Sequence, residues 1–434
     1  MSRDSQLLIL GNGFDLQCGL KSSFDDFMQT RLAKIRKVHS RYVPLSYQDN
    51  SRFMIQEDIQ QQQSVYRAMR YREYGLTIWD FILREDKRQR TWYDIEECIR
   101  KWVYFSPDLE SSQSKPPIEQ VYLDYQSISN MNSSSAFWHR RQISGPRISW
   151  ETEEVVLAYL FINNCGNKNI GSVLRVFMQE LHKYERAFAD YIKKQQTDNK
   201  EYTDSATDLL LNLANDQARE PVLIADRDRR MYASHPESIG ILNFNYTDPR
   251  EDDWENKPEA LNIHGLASQG DIIFGIDGTN LNAGQDHYAD IVKFTKTYRL
   301  MAFSSDPHRS LVHPYRPNSE EGATGMIKFF GHSLGDADYS YFQAIFDEVN
   351  LYESNTHLIF YYNENRRNQK KIRRAKDKPQ QEMFEKVNRL ITTYGRTLDN
   401  EDHGKNLLHK LLLDGRLTIK QAPTNHNSAY FQNA

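Results

Sequence analysis

Cysteine is scarce: Cys18, Cys98 and Cys165 are the whole complement, and no two of them are spaced as C-x-x-C. An odd number without paired spacing argues against a disulfide framework and against a cysteine-rich zinc module. A reducing, cytoplasmic setting is therefore expected, and no metal. Long apolar runs are also missing. The longest, 155-VVLAYLFI-162, falls well short of the ~20 residues that a membrane-spanning helix needs, and it reads as a core element. The opening MSRDSQLLILGNG enters an apolar stretch too short for the h-region of a signal peptide. A soluble chain without a membrane partner is the expectation. An excess of one charge is lacking too: 55 Lys and Arg against 59 Asp and Glu leave a formal net charge of -4, which gives no bulk attraction to nucleic acid or anionic lipid.

What the chain does contain is core material, since 12% aromatic residues in 434 supply two or three domains of ordinary size. Strand-like apolar runs are Gln6 to Leu10, 240-GILNFN-245, 271-DIIFGI-276, 326-MIKFF-330 and 357-HLIFYY-362. Most of them end in Gly, Asn or Asp, as parallel strands with functional carboxyl ends do. Between about Ser23 and Ala214 the pattern is helical instead. In 170-IGSVLRVFMQELHKYERAFADYIKKQ-195 the residues Val173, Leu174, Phe177, Leu181, Tyr184, Phe188 and Tyr191 share one face, a packing stripe and not a cofactor box. The segments 111-SSQSKPPIEQ-120 and 129-SNMNSSSAF-137 read as surface loops. The basic run 363-NENRRNQKKIRRAKDKPQQ-381 has no interleaved aromatics for base stacking and reads as a solvated segment, followed by a helical pattern through Ile391. The organisation inferred is an α/β core from residues 1–24 and 215–365, a helical insertion at 25–214 and a C-terminal helical extension at 366–434.

Three strand ends carry chemistry. In 8-LILGNGFDLQCGLKSSFDDF-27 a strand runs into Gly11-Asn12-Gly13, where glycine allows backbone N–H groups to approach a phosphate. The third glycine of a dinucleotide fingerprint is absent, Leu16 standing in its place. Asp15 reads either as a carboxylate for a ribose hydroxyl or a water, or as a helix cap. In 241-ILNFNYTDPR-250 and 261-LNIHGLAS-268 the asparagines and threonine at the end of a buried strand need hydrogen-bond partners, and His264 beside Gly265 could act as a base near neutral pH. In 327-IKFFGHSLGDADYSYF-342 the residues Gly331, Ser333 and Gly335 spell G-x-S-x-G, which suits a serine nucleophile or a nucleotide loop.

The ordered set ILGNGFDL, GLKSSFDDF, LNFNYTD, NIHG, IIFGID and FFGHSLGDADYSYF resembles the AbiH family of bacteriophage abortive-infection proteins, over nearly the whole chain. That family is in turn distantly similar to sirtuins and to sirtuin-like NAD hydrolases of phage defence. The resemblance implies an α/β fold, a sirtuin-like, Rossmann-type parallel-sheet nucleotide-binding core with a large helical insertion. It implies an antiviral effector that binds NAD, or a related nucleotide, and hydrolyses it at the nicotinamide-ribose bond. By this resemblance Gly11, Asn12, Gly13, Phe14, Asp15, Gly275, Gly331, His332 and Ser333 would contact the nucleotide. Asn245 would orient the ribose or the water, His264 would accept a proton, and Asp248 or Asp15 would help to hold them. Thr247 stands where the wider family has Asp, and Asp15 where it has serine. A phage-derived trigger or a homo-oligomer is implied as partner; nucleic acid is not expected. Without C-x-x-C the zinc module of sirtuin deacylases cannot be built, so deacylation is not favoured.

Two other readings stay open. A serine hydrolase would use Ser333 with Asp347 or Asp399 and His403 or His409, but the elbow strand would need several βα units upstream, where this chain is largely helical. Acidic residues after Gly335 also sit poorly beside an oxyanion. The α/β core could instead bind NAD or an ADP-ribose-like signal without cleaving it, as a sensor or interaction module.

Overall fold

A computed structural model of the chain describes residues 5–40, 67–84, 92–104, 117–130, 150–163, 169–217, 222–224, 232–233, 238–250, 254–278, 281–303, 310–316, 323–335, 338–363 and 378–423. It divides into two compact units, one of residues 1–22, 192–269 and 304–434, the other of residues 23–191 and 270–303. Of the loops expected at 111–120 and 129–137 and the basic run 363–381, residues 111–116, 131–137 and 364–377 lie outside the described residues. At Pro117 a helix begins instead of a loop, with proline in the first turn, where its missing N–H costs nothing.

The first unit is built on a six-stranded sheet. Its strands are β1 (Ser5–Leu10), β4 (Ile239–Asn243), β5 (Glu259–Asn262), β6 (Thr324–Phe330), β7 (His357–Tyr362) and β8 (Leu417–Gln421); β2 (Leu223–Ile224) and β3 (Tyr232–Ala233) form a separate antiparallel pair. Every pairing in the large sheet is parallel, in the order β5-β4-β1-β6-β7-β8. Burial on both faces accounts for the continuous apolar runs: every residue of β1 and β4 is buried. The helix Tyr202–Asn215 packs Leu209, Leu210 and Leu213 into one cluster with Leu8, Leu10, Ile241, Phe330 and Ile359. The helix Tyr339–Glu348 brings Phe342 and Phe346 against Phe329, which itself stacks on Phe360 at 4.5 Å. From β1 the chain lays strands outward on one side and then crosses to lay β6 to β8 on the other. The carboxyl ends of β1, β4, β5 and β6 thus share one edge of the sheet, with the reversal between β1 and β6.

Sequence patterning misplaces two segments. The run 271-DIIFGI-276 is buried as expected but is no strand, and Ile276 makes only an isolated bridge with Thr295. Its backbone is satisfied by side chains: Glu185 accepts from Phe274 N at 2.7 Å, and Arg299, ion-paired with Glu185, donates to Phe274 O at 3.3 Å. Conversely β8, in a region expected to be a helical extension, joins the sheet beside β7. It is half-exposed, so its apolar content is too low to read as a strand. The helices Lys378–Gly395 and Glu401–Leu413 precede it, and a Cβ on Gly404 would stand 2.0 Å from Gly395 O, which requires glycine at this crossing.

The second unit is held by helices: Phe24–Ser40, Ile78–Ile82, Trp92–Val103, Pro117–Asn130, Trp150–Ile162 and the first part of Ile170–Asp198. Its interior holds a buried ion pair. Arg31 makes two bonds to Asp80, at 2.6 and 2.7 Å, and its guanidinium lies against the rings of Phe27 and Tyr184. The run 155-VVLAYLFI-162 forms part of a helix whose residues Val155 to Leu160 are all buried, the pattern of a core helix. No helix among the described residues is long and apolar enough to cross a membrane.

Lys328, near the middle of β6, is buried. Its Nζ donates to the carbonyls of Leu213, Ala214 and Asp216 at 2.7, 3.1 and 2.8 Å, matching the three donors of an ammonium at the carboxyl end of the helix Tyr202–Asn215. Burial pushes this ammonium down to about 7; the Asp216 carboxylate opposes the fall and the Lys420 ammonium adds to it. Lys328→Met leaves the three carbonyls without donors and should lower the unfolding free energy by ~1–3 kcal/mol at pH 6, read from urea denaturation. An unchanged midpoint would mean that water replaces the ammonium at no cost.

Candidate functional site

Leu10 ends β1 and the chain turns through Gly11-Asn12-Gly13 into the short helix Gly13–Gln17. The turn lies directly on the loop that follows β6. Gly11 N donates to Phe330 O at 2.8 Å and Gly13 N to Gly331 O at 2.9 Å. A Cβ at Gly11 would stand 2.4 Å from His332 Cα, and one at Gly13 2.6 Å from Gly331 Cα. Gly331 has φ +70° and is hemmed by Phe14 N and the Gly13 backbone. These glycines permit backbone to meet backbone, and a phosphate at this turn would need donors other than the Gly11 and Gly13 N–H groups. Asn12 accepts a 2.6 Å hydrogen bond from Ser22.

Beneath the turn, Asp15 is buried and accepts hydrogen bonds from Tyr202 Oη at 2.8 Å and from Thr247 Oγ1 at 2.9 Å to each carboxylate oxygen. Burial, offset by the two hydroxyls, raises its carboxyl to about 6 from an ordinary 3.8. One side chain thus ties the β1 loop, the loop after β4 and the helix Tyr202–Asn215 together.

The loop after β4 is folded on its own polar groups. Asn243 Nδ2 donates to Thr247 O at 2.7 Å, and Asn243 Oδ1 accepts from Asn245 N and Nδ2 at 3.0 and 2.9 Å. Asn262, at the end of β5, donates to the carbonyls of Asn245 and Thr247. The Asn245 Oδ1 atom is buried and has no hydrogen-bond partner. A buried acceptor in that condition costs free energy, which a ligand hydroxyl or water would recover.

Two histidines converge at the ends of β5 and β6. His264 Nδ1 lies 3.2 Å from Phe244 O, a carbonyl that can only accept, so Nδ1 carries a proton. His332 Nδ1 accepts from Leu334 N at 2.9 Å, so its proton is on Nε2. Both Nε2 atoms face Asp338, His332 at 3.4 Å and His264 at 3.8 Å. Aromatic rings enclose them: Tyr246 stacks on His264 at 5.8 Å, and Phe244 meets both imidazoles edge-on. Leu334 holds φ +54°, a strained value for a bulky residue, secured by its N–H to His332 and by Arg389, which donates to its carbonyl.

A family described as "Bacteriophage abortive infection AbiH" has a model that matches residues 7–362, from β1 through β7. The chain belongs to the AbiH family. No curated protein and no solved structure matches it.

In this AbiH chain, Gly11, Asn12, Gly13, Phe14, Asp15, Asn245, His264, Gly331, His332 and Ser333 lie in the loops at one edge of the first unit's sheet. Asp248 lies there too but is engaged by Arg250 in a bidentate pair at 2.9 and 2.8 Å. Of the two carboxylates proposed for the ribose or water, Asp15 is the buried one, and its oxygens are already met by hydroxyls. Gly275 belongs to the second unit, where a Cβ would come within 3.0 Å of Lys296 and 3.1 Å of Phe294 O. Ser333 is exposed, and among the described residues of its loop Gly331 and Leu334 are left-handed, not the serine, unlike a strained nucleophile elbow. Among the described residues no histidine hydrogen-bonds to it; His403 instead stacks on Tyr352, and Asp347 accepts from Tyr394. The sequence reading singled out Asn243 with Asn245 as strand-end asparagines in need of partners, and missed Asn262, Tyr202 and Asp338. Asn262 was visible as a polar residue at a strand end; Tyr202 and Asp338 gave no signal, because each reaches the site from another element.

The raised Asp15 carboxyl sets a pH dependence. The folded chain holds this proton more tightly than the unfolded one, so the contribution is fully present below 3.8 and lost as pH rises through about 6. At ~1.4 kcal/mol per pH unit, the loss amounts to about 3 kcal/mol. Asp15→Asn should remove it, so that the unfolding free energies of variant and wild type diverge between pH 4 and 7 in denaturant titrations. Parallel curves would show that Asp15 titrates alike in both states.

Proposed function

We propose that this AbiH protein binds NAD at the carboxyl edge of its sheet and hydrolyses the bond between nicotinamide and ribose. Family membership supports a part in bacteriophage abortive infection; the chemistry is inferred from the site. The observation that carries it is the buried, unpartnered Asn245 Oδ1 on a loop whose Tyr246 ring stacks on His264. Counted along the chain, the large sheet runs 3-2-1-4-5-6, the order of doubly wound sheets that bind dinucleotides where the order reverses. This also supports the sirtuin-like, Rossmann-type reading of the core.

Cleavage develops oxocarbenium-like charge on the ribose, as in other glycoside hydrolyses. Asn245 Oδ1 accepts a hydrogen bond from the attacking water or a ribose hydroxyl and fixes its direction. The water oxygen bonds to the anomeric carbon while the carbon–nitrogen bond breaks, its electron pair returning to the nicotinamide ring. The released proton goes to His264 Nε2, the nitrogen left unprotonated by the Phe244 contact. The pyrophosphate is held by groups other than the Gly11 and Gly13 N–H, which are spent within the fold. Binding without cleavage is the second reading, and the observation favouring it is Thr247: its hydroxyl is committed to Asp15 and supplies no carboxylate where the wider family has one.

His264→Ala should lower NAD cleavage by ~10²–10⁴-fold, the usual contribution of a general base. Asn245→Ala should also reduce it. The measurement is nicotinamide and ADP-ribose by chromatography in bacteria under phage challenge, so that any required trigger is present. Protection by the wild type with NAD level in every strain would leave the binding reading and sink the hydrolase.

A further inference from the structure

The His264–Asp338–His332 cluster has a feature that neither histidine has alone. Backbone contacts fix the two rings in opposite tautomers: His332 presents an N–H, and neutral His264 a lone pair, to one carboxylate. Asp338 immediately precedes the helix Tyr339–Glu348, and its side chain makes no capping bond to that helix. Its Oδ2 stands 3.4 Å from His332 Nε2, its Oδ1 3.8 Å from His264 Nε2. All three side chains are largely removed from water, with exposures of 9%, 13% and 5% for His264, Asp338 and His332, so screening is weak.

We infer that Asp338 is a positioning carboxylate shared by the two histidines, oriented by the His332 N–H so that it stabilises the imidazolium formed when His264 takes a proton. As with a carboxylate beside a catalytic imidazole, Asp338 favours the imidazolium by its charge without itself becoming protonated; here it meets the accepting Nε2, while Phe244 O aligns the ring through Nδ1. The 3.8 Å separation fits a neutral His264, whose lone pair faces a carboxylate oxygen; a proton on Nε2 turns that contact into an attraction. Among the described residues, the other titratable or charged groups around the cluster are Tyr246 on the β4 loop, Tyr341 on the helix Tyr339–Glu348, and Arg389, which meets the Leu334 carbonyl. The proton's source, water attacking the ribose, rests on the NAD-cleavage reading; the coupling between Asp338 and His264 does not.

The test is two measurements on the full chain with Asp338→Asn, an isosteric change that keeps the volume, and with Asp338→Glu. In the first, NMR follows the imidazole titration of His264, assigned with His264→Gln. The expected result is a His264 midpoint lower by about one pH unit in Asp338→Asn and restored toward wild type in Asp338→Glu. In the second, the pH profile of NAD cleavage is recorded under phage challenge or with its lysate. The expected kcat is lower by ~10-fold or more, its acid limb is displaced in the same direction, and KM changes little. An unmoved His264 midpoint in a variant with wild-type dispersion of its NMR spectrum overturns the inference. A shifted midpoint with no NAD cleavage by the wild type upholds the coupling and defeats the hydrolase reading. If Asp338→Asn does not fold, the His264 midpoint in His332→Phe replaces it: removing the N–H that orients Asp338 should also move that midpoint, and no movement overturns the inference.

Discussion

The contact on which the first unit depends is backbone against backbone. Gly11 and Gly13, leaving β1, lie on Phe330, Gly331 and His332, leaving β6, at distances no side chain could tolerate. Because β1 and β6 are the strands between which the sheet reverses, this contact closes the centre of the carboxyl edge. The glycines spend their N–H groups on carbonyls across the gap. The polar side chains next out are Asp15 one turn along, Asn245 and His264 on the neighbouring strand ends, and His332 directly beyond Gly331. A side chain at any of these glycines would push the β6 loop away and take His332 from Asp338.

Burial of charge is the second theme, and each buried group is answered differently. Lys328 is met by helix-end carbonyls, Arg31 by Asp80, and Glu185 by Arg299 with a backbone N–H. Asp15 receives only neutral hydroxyls, from Tyr202 and Thr247, and its carboxyl is raised accordingly. The difference separates the buried ion pairs from Lys328 and Asp15, which hydrogen-bond only to neutral groups and are shifted by burial to about 7 and about 6. It also gives Thr247 a role. Its hydroxyl reaches both oxygens of the buried Asp15 carboxylate, at 2.9 Å each.

Much of the sheet was legible because parallel strands are buried on both faces. The runs at Gln6, Gly240, Met326 and His357 match β1, β4, β6 and β7 closely, since an apolar run bounded by Gly or Asn has few other uses. The run at Ile272 was equally apolar and equally buried, yet its backbone is satisfied by Glu185 and Arg299, side chains from distant positions. Apolarity predicts burial; only a neighbouring strand makes a strand. β5 and β8 were missed for the opposite reason: at the two edges of the sheet they are half-exposed, so their composition does not announce them.

By itself the sequence determined the α/β class, the parallel central strands, the family, and the loops in which Asn245, His264 and His332 sit, because these follow from local patterns and motifs. Tertiary structure alone decided that Asp338 faces both histidines and that Tyr202 and Thr247 share Asp15. Each of these is a pairing of side chains brought close by strand register or loop packing. Residue type fixes what a group can donate or accept, whereas its partner is fixed by which strand ends lie side by side.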